Sequence, residues 1–159
     1  PKEVFAIMNY AVDDNERPIF YKKVVETVVH EFCHSFTKIK GDTEKALEKS
    51  GKALQEYTYF SMRRQAYSTW RNILEESLVR AATICYLIDH NYDEKDIRNA
   101  IIEQVDRNFF WMPELVQTLR YYESHRKKYP TFTSFYPEII RFFDRYVTNM
   151  EKEMKKAMK

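Results

Sequence analysis

The stretch Thr27-Val28-Val29-His30-Glu31-Phe32-Cys33-His34-Ser35-Phe36 places two histidines four residues apart, with a glutamate directly after the first. On an α-helix, side chains at this spacing project from one face about one turn apart, so both imidazoles can reach a single Zn²⁺ ion. Glu31 lies beside them, where it can act as general base on a metal-activated water and then protonate a leaving amine. The His-Glu-x-x-His spacing is therefore typical of one half of a zinc hydrolase site.

The apolar residues around this motif predict that it lies on a helix. They recur with helical spacing, and Glu31 is the one charged residue between positions 27 and 36. The expected buried stripe consists of Val24, Val25, Val28, Val29, Phe32, Cys33 and Phe36. His30, Glu31 and His34 lie off that stripe, so we expect them at the edge of a cleft.

Composition favours one mainly helical domain over residues 1–159. A hydrophobic content of 44% in 159 residues is enough for one core and short for two. Two glycines and five prolines leave little material for tight hairpins. Because the chain begins at Pro1, we expect it to be the C-terminal part of a longer chain. A net charge of +2 gives no strong field for nucleic acid, and no run is apolar enough for a membrane span.

The pattern of apolar and turn-forming residues predicts a minimal N-terminal strand followed by about six helices. Residues 4–12 are the strand candidate, ended by the turn-forming residues 13–15. The expected helices cover approximately residues 18–38, 42–62, 65–89, 93–107, 113–128 and 134–158.

A catalytic zinc site needs a third protein ligand and an open position. One class of zincins places a histidine six residues after the second histidine of the motif, with a glycine between. Here Thr37 and Lys40 occupy those positions, which excludes that class. In the gluzincin class the third ligand is a glutamate on a later helix, where Glu75 and Glu76 are available. Glu76 lies beside the apolar face of its helix and is the preferred third ligand. Glu75, or an unrecognised Asp, His or Glu, remains the alternative.

Two segments resemble a known bacterial family, the domain of unknown function 4932. In that family V-V-H-E-F-x-H-S-F is followed by a helix bearing N-E-S-x-x-R-A. The corresponding residues here are Val28 to Phe36 and Glu75 to Ala81, where Glu75 stands in place of the usual Asn. The resemblance covers approximately residues 4–90. It implies a zincin-like, gluzincin-type metallopeptidase fold with Glu76 as third ligand, and an extracytoplasmic location.

Arg80 is the remaining candidate site residue. Four residues after Glu76, it can form an ion pair with that carboxylate and so orient it, or it can stabilise a transition state. Thermolysin-like gluzincins have an Asp at this later position, which orients a histidine ligand. The group that orients His30 or His34 must therefore come from elsewhere. Tyr67 and Tyr86 are other possible oxyanion donors, and the sequence does not select one.

These observations predict a zinc-dependent metallopeptidase that acts on a peptide or protein substrate. Zn²⁺ would be bound by His30, His34 and Glu76, and Glu31 would serve as general base. The alternative is a non-catalytic helical interaction domain, or an inactive peptidase relative with a structural or absent metal.

Overall fold

A computed structural model describes residues 11–158, apart from the side chain of Lys22. Within this range, a two-stranded sheet precedes seven helices. The elements are β1 (Ala11–Val12), β2 (Pro18–Ile19), α1 (Lys22–Cys33), α2 (Asp42–Tyr57), α3 (Tyr59–Arg64), α4 (Trp70–Asp89), α5 (Glu94–Asp106), α6 (Met112–Ser124) and α7 (Phe132–Ala157). The predicted mainly α fold with a minimal strand near the N-terminus is confirmed.

The two strands form an antiparallel hairpin in which Ala11 pairs with Ile19. Asp13 closes the turn, since its Oδ1 accepts hydrogen bonds from the backbone N–H groups of Asn15 and Arg17, both at 2.9 Å. The predicted turn is confirmed, but a helix beginning near residue 18 is wrong because that segment pairs with β1. Residues 4–10 of the predicted strand lie outside the described residues.

The predicted second helix is interrupted at Thr58. Its hydroxyl donates to the backbone oxygen of Leu54 at 2.7 Å, and its backbone (φ −109°, ψ 13°) departs from helical geometry. A β-branched residue whose hydroxyl bonds the preceding turn in this way commonly bends or ends a helix. The chain therefore forms α2 and the short α3 in place of one helix.

Helix α4 is the centre of the fold and packs against α1, α2, α5 and α6. It begins at Trp70, later than expected, because the Thr69 side chain accepts the N–H of Asn72 at 3.2 Å as an N-cap. Gly51 of α2 lies so close to it that an added Cβ would be 2.5 Å from the Trp70 ring. The predicted apolar face is confirmed at its fully buried positions Ile73, Leu74, Leu78, Ala81, Ile84 and Cys85.

The expected buried stripe of α1 is wrong. Of its seven residues only Val24 is buried, whereas Phe32 and Phe36 are 42% and 71% exposed. The helix instead turns its histidine side toward α4, where the buried carboxylate of Glu76 requires polar neighbours. The side of α1 that faces α4 is thus the histidine side and not the predicted apolar stripe.

Helix α1 also ends at Cys33, before the expected residue 38, because tertiary contacts hold the next segment. The backbone N–H of the buried Ile39 donates to Glu75 Oε1 at 2.9 Å. The hydroxyl of Tyr136 donates to the backbone oxygen of Lys38 at 3.1 Å. These bonds connect the segment to α4 and α7 and leave its backbone outside a helix.

Among the helices of residues 11–158, none has both the length and the apolar character needed to cross a lipid bilayer.

Candidate metal centre

Helices α1 and α4 bring His30, His34 and Glu76 together. The Nε2 atom of His30 lies 3.5 Å from Glu76 Oε1, and Nε2 of His34 lies 3.7 Å from Glu76 Oε2. One donor atom from each residue lies within 4.8 Å of the other two. Each histidine thus faces its own carboxylate oxygen, and the three side chains converge on one point.

The two nitrogen–oxygen separations, each to a different Glu76 oxygen, are longer than direct hydrogen bonds and close to the spacing of ligands around one metal ion. N–H···O bonds in proteins are about 2.7–3.2 Å long, shorter than either separation. Four ligands at about 2.0–2.1 Å in tetrahedral geometry stand roughly 3.3–3.5 Å from one another. The imidazole rings are also nearly perpendicular, at 84° with centroids 5.1 Å apart. Two imidazole nitrogens and a carboxylate are a donor set that zinc accepts, so these residues fit the ion.

The electrostatics of the cluster favour the neutral form of His30. Burial lowers the pKa of His30; the carboxylates of Glu76 and Glu31 oppose the shift, whereas Arg80 and His34 add to it. A lowered histidine pKa keeps more of the imidazole unprotonated near neutral pH. Because only the neutral imidazole can bind a metal, this environment prepares the ligand.

Arg80 holds the Glu76 carboxylate in place. Its Nη2 lies 2.8 Å from Glu76 Oε1, and both side chains are about nine-tenths buried. The same guanidinium donates to Gln104 Oε1 at 2.6 Å and to the Tyr67 hydroxyl at 3.0 Å, and it lies over the Phe109 ring. Both terminal nitrogens of the guanidinium are thus engaged, while its buried Nε has no hydrogen-bond partner among the described residues. The contact with Glu76 favours an orienting role for Arg80.

Sequence reasoning missed Gln104 and interpreted Tyr67 differently. Gln104 lies on α5, 24 residues after Arg80, and no local pattern marks it. The sequence offers Tyr67 as an oxyanion donor; in the structure its hydroxyl accepts a hydrogen bond from Arg80 at 3.0 Å and lies near Glu76. Burial raises the pKa of Tyr67, and the nearby Glu76 carboxylate adds to the effect, so the phenol stays protonated at neutral pH.

Glu75 points to a different part of the molecule from Glu76. Its Oε1 accepts the Ile39 N–H, and its Oε2 lies 3.7 Å from Lys38 Nζ. Adjacent helical residues project about 100° apart, so one of the two glutamates can face the histidines while the other faces the segment after α1. The structure therefore places Glu76, and not Glu75, with His30 and His34.

The cluster opens toward solvent on the α1 side. The His30 and His34 side chains are 22% and 33% exposed, and Glu31 next to them is exposed. Within residues 11–158, no carboxylate or backbone oxygen is hydrogen-bonded to Nδ1 of either histidine. The solvent-exposed side of the cluster is thus the side on which Glu31 lies.

The other two histidines lie outside the cluster. His90 stacks on Tyr86 with ring centroids 3.7 Å apart, and His125 lies against Tyr121 at 3.9 Å. Both histidines are exposed at the ends of helices. Tyr86, the other tyrosine that the sequence offers as an oxyanion donor, is thus stacked on His90.

Comparison with known proteins gives one family. Neither the curated proteins nor the solved structures contain a match to this chain. A family model described as a domain of unknown function (DUF4932) matches residues 3–142. Because this match covers most of the chain, including His30, His34 and Glu76, the chain belongs to the DUF4932 family.

Proposed function

We propose that this protein is a zinc-dependent peptidase of the gluzincin type. The observation that carries the proposal is the convergence of His30, His34 and Glu76, with nitrogen to oxygen separations of 3.5 and 3.7 Å. Catalytic zinc sites combine three protein ligands with an open position, whereas structural sites are closed by four. The partial exposure of both imidazoles is consistent with an open position facing solvent.

In this proposal His30 and His34 supply neutral nitrogens, and Glu76 supplies the anionic oxygen. Zinc bound there would polarise the substrate carbonyl and lower the pKa of a coordinated water. Arg80, fixed by Gln104 and Tyr67, keeps the Glu76 carboxylate aimed at the histidines. Orienting partners of this kind commonly change metal affinity by about 10–100-fold when they are removed.

Glu31 is the proposed general base and acid. It lies on α1 directly after His30 and on the exposed side of the cluster. Its carboxylate takes a proton from the attacking water as the water oxygen bonds to the peptide carbonyl carbon. It then donates that proton to the amide nitrogen as the C–N bond breaks. Glu31 is thus expected to contribute to the chemical step and not to metal binding.

A non-catalytic interaction domain is the second candidate. The exposed Phe32 on α1 and Phe36 just after it favour this candidate, because exposed apolar side chains can mark contacts with other proteins. In that case a metal would have a structural role or be absent. The two candidates differ in whether the chain hydrolyses peptides.

Replacing Glu31 by glutamine tests the proposal. We expect Glu31→Gln to retain zinc while peptide hydrolysis falls by roughly 10²–10⁴-fold, since an amide cannot accept the proton. Glu56→Gln, which changes an exposed glutamate on α2, is the matched control and should leave both properties unchanged. Unchanged hydrolysis in Glu31→Gln would overturn the mechanism. A wild-type protein that binds zinc but cleaves nothing in a broad peptide library would favour the interaction domain.

A further inference from the structure

Residues 11–34 form an N-terminal unit, made of β1, β2 and α1, that adds almost nothing to the apolar core. None of its described side chains belongs to the main core, which begins at Ile39. Val24 is the one buried apolar side chain among those described in the unit. A hairpin as short as β1–β2 is also only marginally stable by itself. The hydrophobic effect, which is the dominant favourable term in folding, therefore does little to hold this unit to the helical body of residues 37–158.

The interface between the unit and the body is polar and loosely packed. Among the described elements, α1 packs substantially against α4 alone. A cavity of about 240 Å³ lies between α1, α4 and α5, and nine of the twelve described residues that line it are charged or polar. Close-packed protein interiors contain few voids larger than a water molecule. Apolar packing therefore does not account for the position of α1 on α4.

Direct bonds across the interface are also weak. The histidine nitrogens lie 3.5 and 3.7 Å from the Glu76 oxygens, too far for strong hydrogen bonds. Lys23 Nζ lies 3.8 Å from a Glu103 oxygen, but both side chains are exposed, and exposed ion pairs contribute little to stability. Two of the three candidate metal ligands, His30 and His34, lie on α1 and the third lies on α4. An ion held by all three therefore connects the two helices directly.

The chain after the unit is fixed to the body by its own contacts. Thr37 and Ile39 are buried, and the Ile39 N–H donates to Glu75. The backbone oxygen of Lys38 accepts a hydrogen bond from the Tyr136 hydroxyl. Between these residues and the unit lie positions 35 and 36, whose side chains are both exposed. Movement of the chain at positions 35 and 36 can thus separate α1 from α4 while the core remains intact.

We propose that metal binding docks α1 on α4, and that removal of the metal releases the N-terminal unit from a helical body that stays folded. This inference rests on the metal centre of the proposed function and is independent of hydrolysis. A region with few buried apolar contacts opens at a low free-energy cost, so the unit is the part of the chain most suited to such a change. Because His30, Glu31 and His34 all lie on it, its release separates both histidines and the proposed base from Glu76. The supply of zinc would thus assemble and disassemble the site reversibly.

Amide hydrogen exchange, read by mass spectrometry on the full chain, tests the proposal. In zinc-free wild type we expect peptides from α1 to exchange almost as fast as unstructured chain, while peptides from α4, α6 and α7 stay protected. A ligand that binds only the docked state suppresses the released state in proportion to its concentration over Kd. Zinc at 100 times its Kd should therefore slow exchange in α1 by about 100-fold.

Two histidine variants show whether the effect of zinc comes from the cluster. His34→Ala removes one ligand, and its α1 should keep exchanging fast at the same zinc concentration. His125→Ala changes an exposed histidine outside the cluster and should respond to zinc like wild type. Zinc affinity of each protein is measured separately, by competition with a chelator.

The outcomes distinguish the docking role from the metal centre itself. If α1 is as strongly protected as α4 in the zinc-free protein, the docking role is overturned, and the metal centre stands as long as His34→Ala loses zinc affinity. Loss of protection in all helices of the zinc-free protein also overturns it, because the metal would then hold the whole fold. A wild-type protein that binds no zinc overturns both the metal centre and its role in docking.

Discussion

Glu75 and Glu76 are adjacent on α4 but have different contacts, so replacing each in turn distinguishes a metal ligand from a structural side chain. Glu76 faces both histidines, whereas Glu75 accepts the Ile39 N–H at 2.9 Å. We predict that Glu76→Gln loses zinc affinity and that Glu75→Ala loses stability without losing zinc affinity. Glutamine is chosen at position 76 because its amide oxygen can still accept a hydrogen bond from Arg80.

The magnitudes follow from what each change removes. Removal of partners that only orient a ligand costs about 10–100-fold in metal affinity, so loss of the Glu76 carboxylate should cost roughly 100-fold or more. Glu75→Ala leaves the N–H of the buried Ile39 without its acceptor, which costs about 1–3 kcal/mol of unfolding free energy. For a chain of this size, each kcal/mol lowers Tm by roughly 2–4 °C.

Zinc affinity is measured by competition with a chromogenic chelator, and stability is measured by thermal melting of the zinc-free proteins. Wild type and Glu75→Ala should share one zinc Kd, and Glu76→Gln should bind much more weakly. The reasoning is refuted if Glu75→Ala loses as much affinity as Glu76→Gln, or if Glu76→Gln binds zinc like wild type. Melting of the zinc-free proteins separates a loss of affinity from simple unfolding.

Three further changes test the packing around the site. Gly51→Ala should lower the free energy of unfolding by about 1–3 kcal/mol, because the added methyl group contacts the Trp70 ring. This loss outweighs a helix-propensity gain of about 1 kcal/mol. A higher Tm would contradict the prediction. Arg80→Met should lower the free energy of unfolding by about 3–5 kcal/mol, because it leaves the buried Glu76 carboxylate without its cation. Urea unfolding measures this loss, and an unchanged midpoint would show that the ion pair is dispensable. Thr69→Ala should cost about 1 kcal/mol by removing the N-cap of α4, whereas Ser at this position should retain most of the stability in the same unfolding assay.

The correct predictions are those that depend only on neighbouring residues in the sequence. The apolar spacing of α4 identified its buried face, and the pairing of His30 with His34 on one side of a helix follows from their spacing alone. The choice between Glu76 and Glu75 also had a local basis, because the apolar face of α4 fixes where each side chain points. Glu75 stays an alternative at that level because sequence alone does not fix the position of α1 relative to α4.

The incorrect predictions concern features that depend on distant residues. The end of α1 is set by bonds from Glu75 and Tyr136 to the segment after Cys33, 36 and 98 residues away in sequence. The exposure of Phe32 accompanies the orientation of α1, whose histidine side faces Glu76 of α4, a residue 46 positions after His30 in sequence. Gln104 joins the Arg80 network from another helix, and a single glutamine on an amphipathic helix gives no local signal of that role.

The most direct test of the central claim is X-ray absorption at the zinc edge on protein loaded with one equivalent of zinc, together with the His34→Ala variant. We predict a shell of nitrogen and oxygen ligands at about 2.0–2.1 Å, with the outer scattering of two imidazoles. In His34→Ala one imidazole should be lost and the affinity should fall. A shell of oxygen alone, sulfur scattering from Cys33 or Cys85, or a spectrum that His34→Ala leaves unchanged would contradict a metal centre formed by His30, His34 and Glu76.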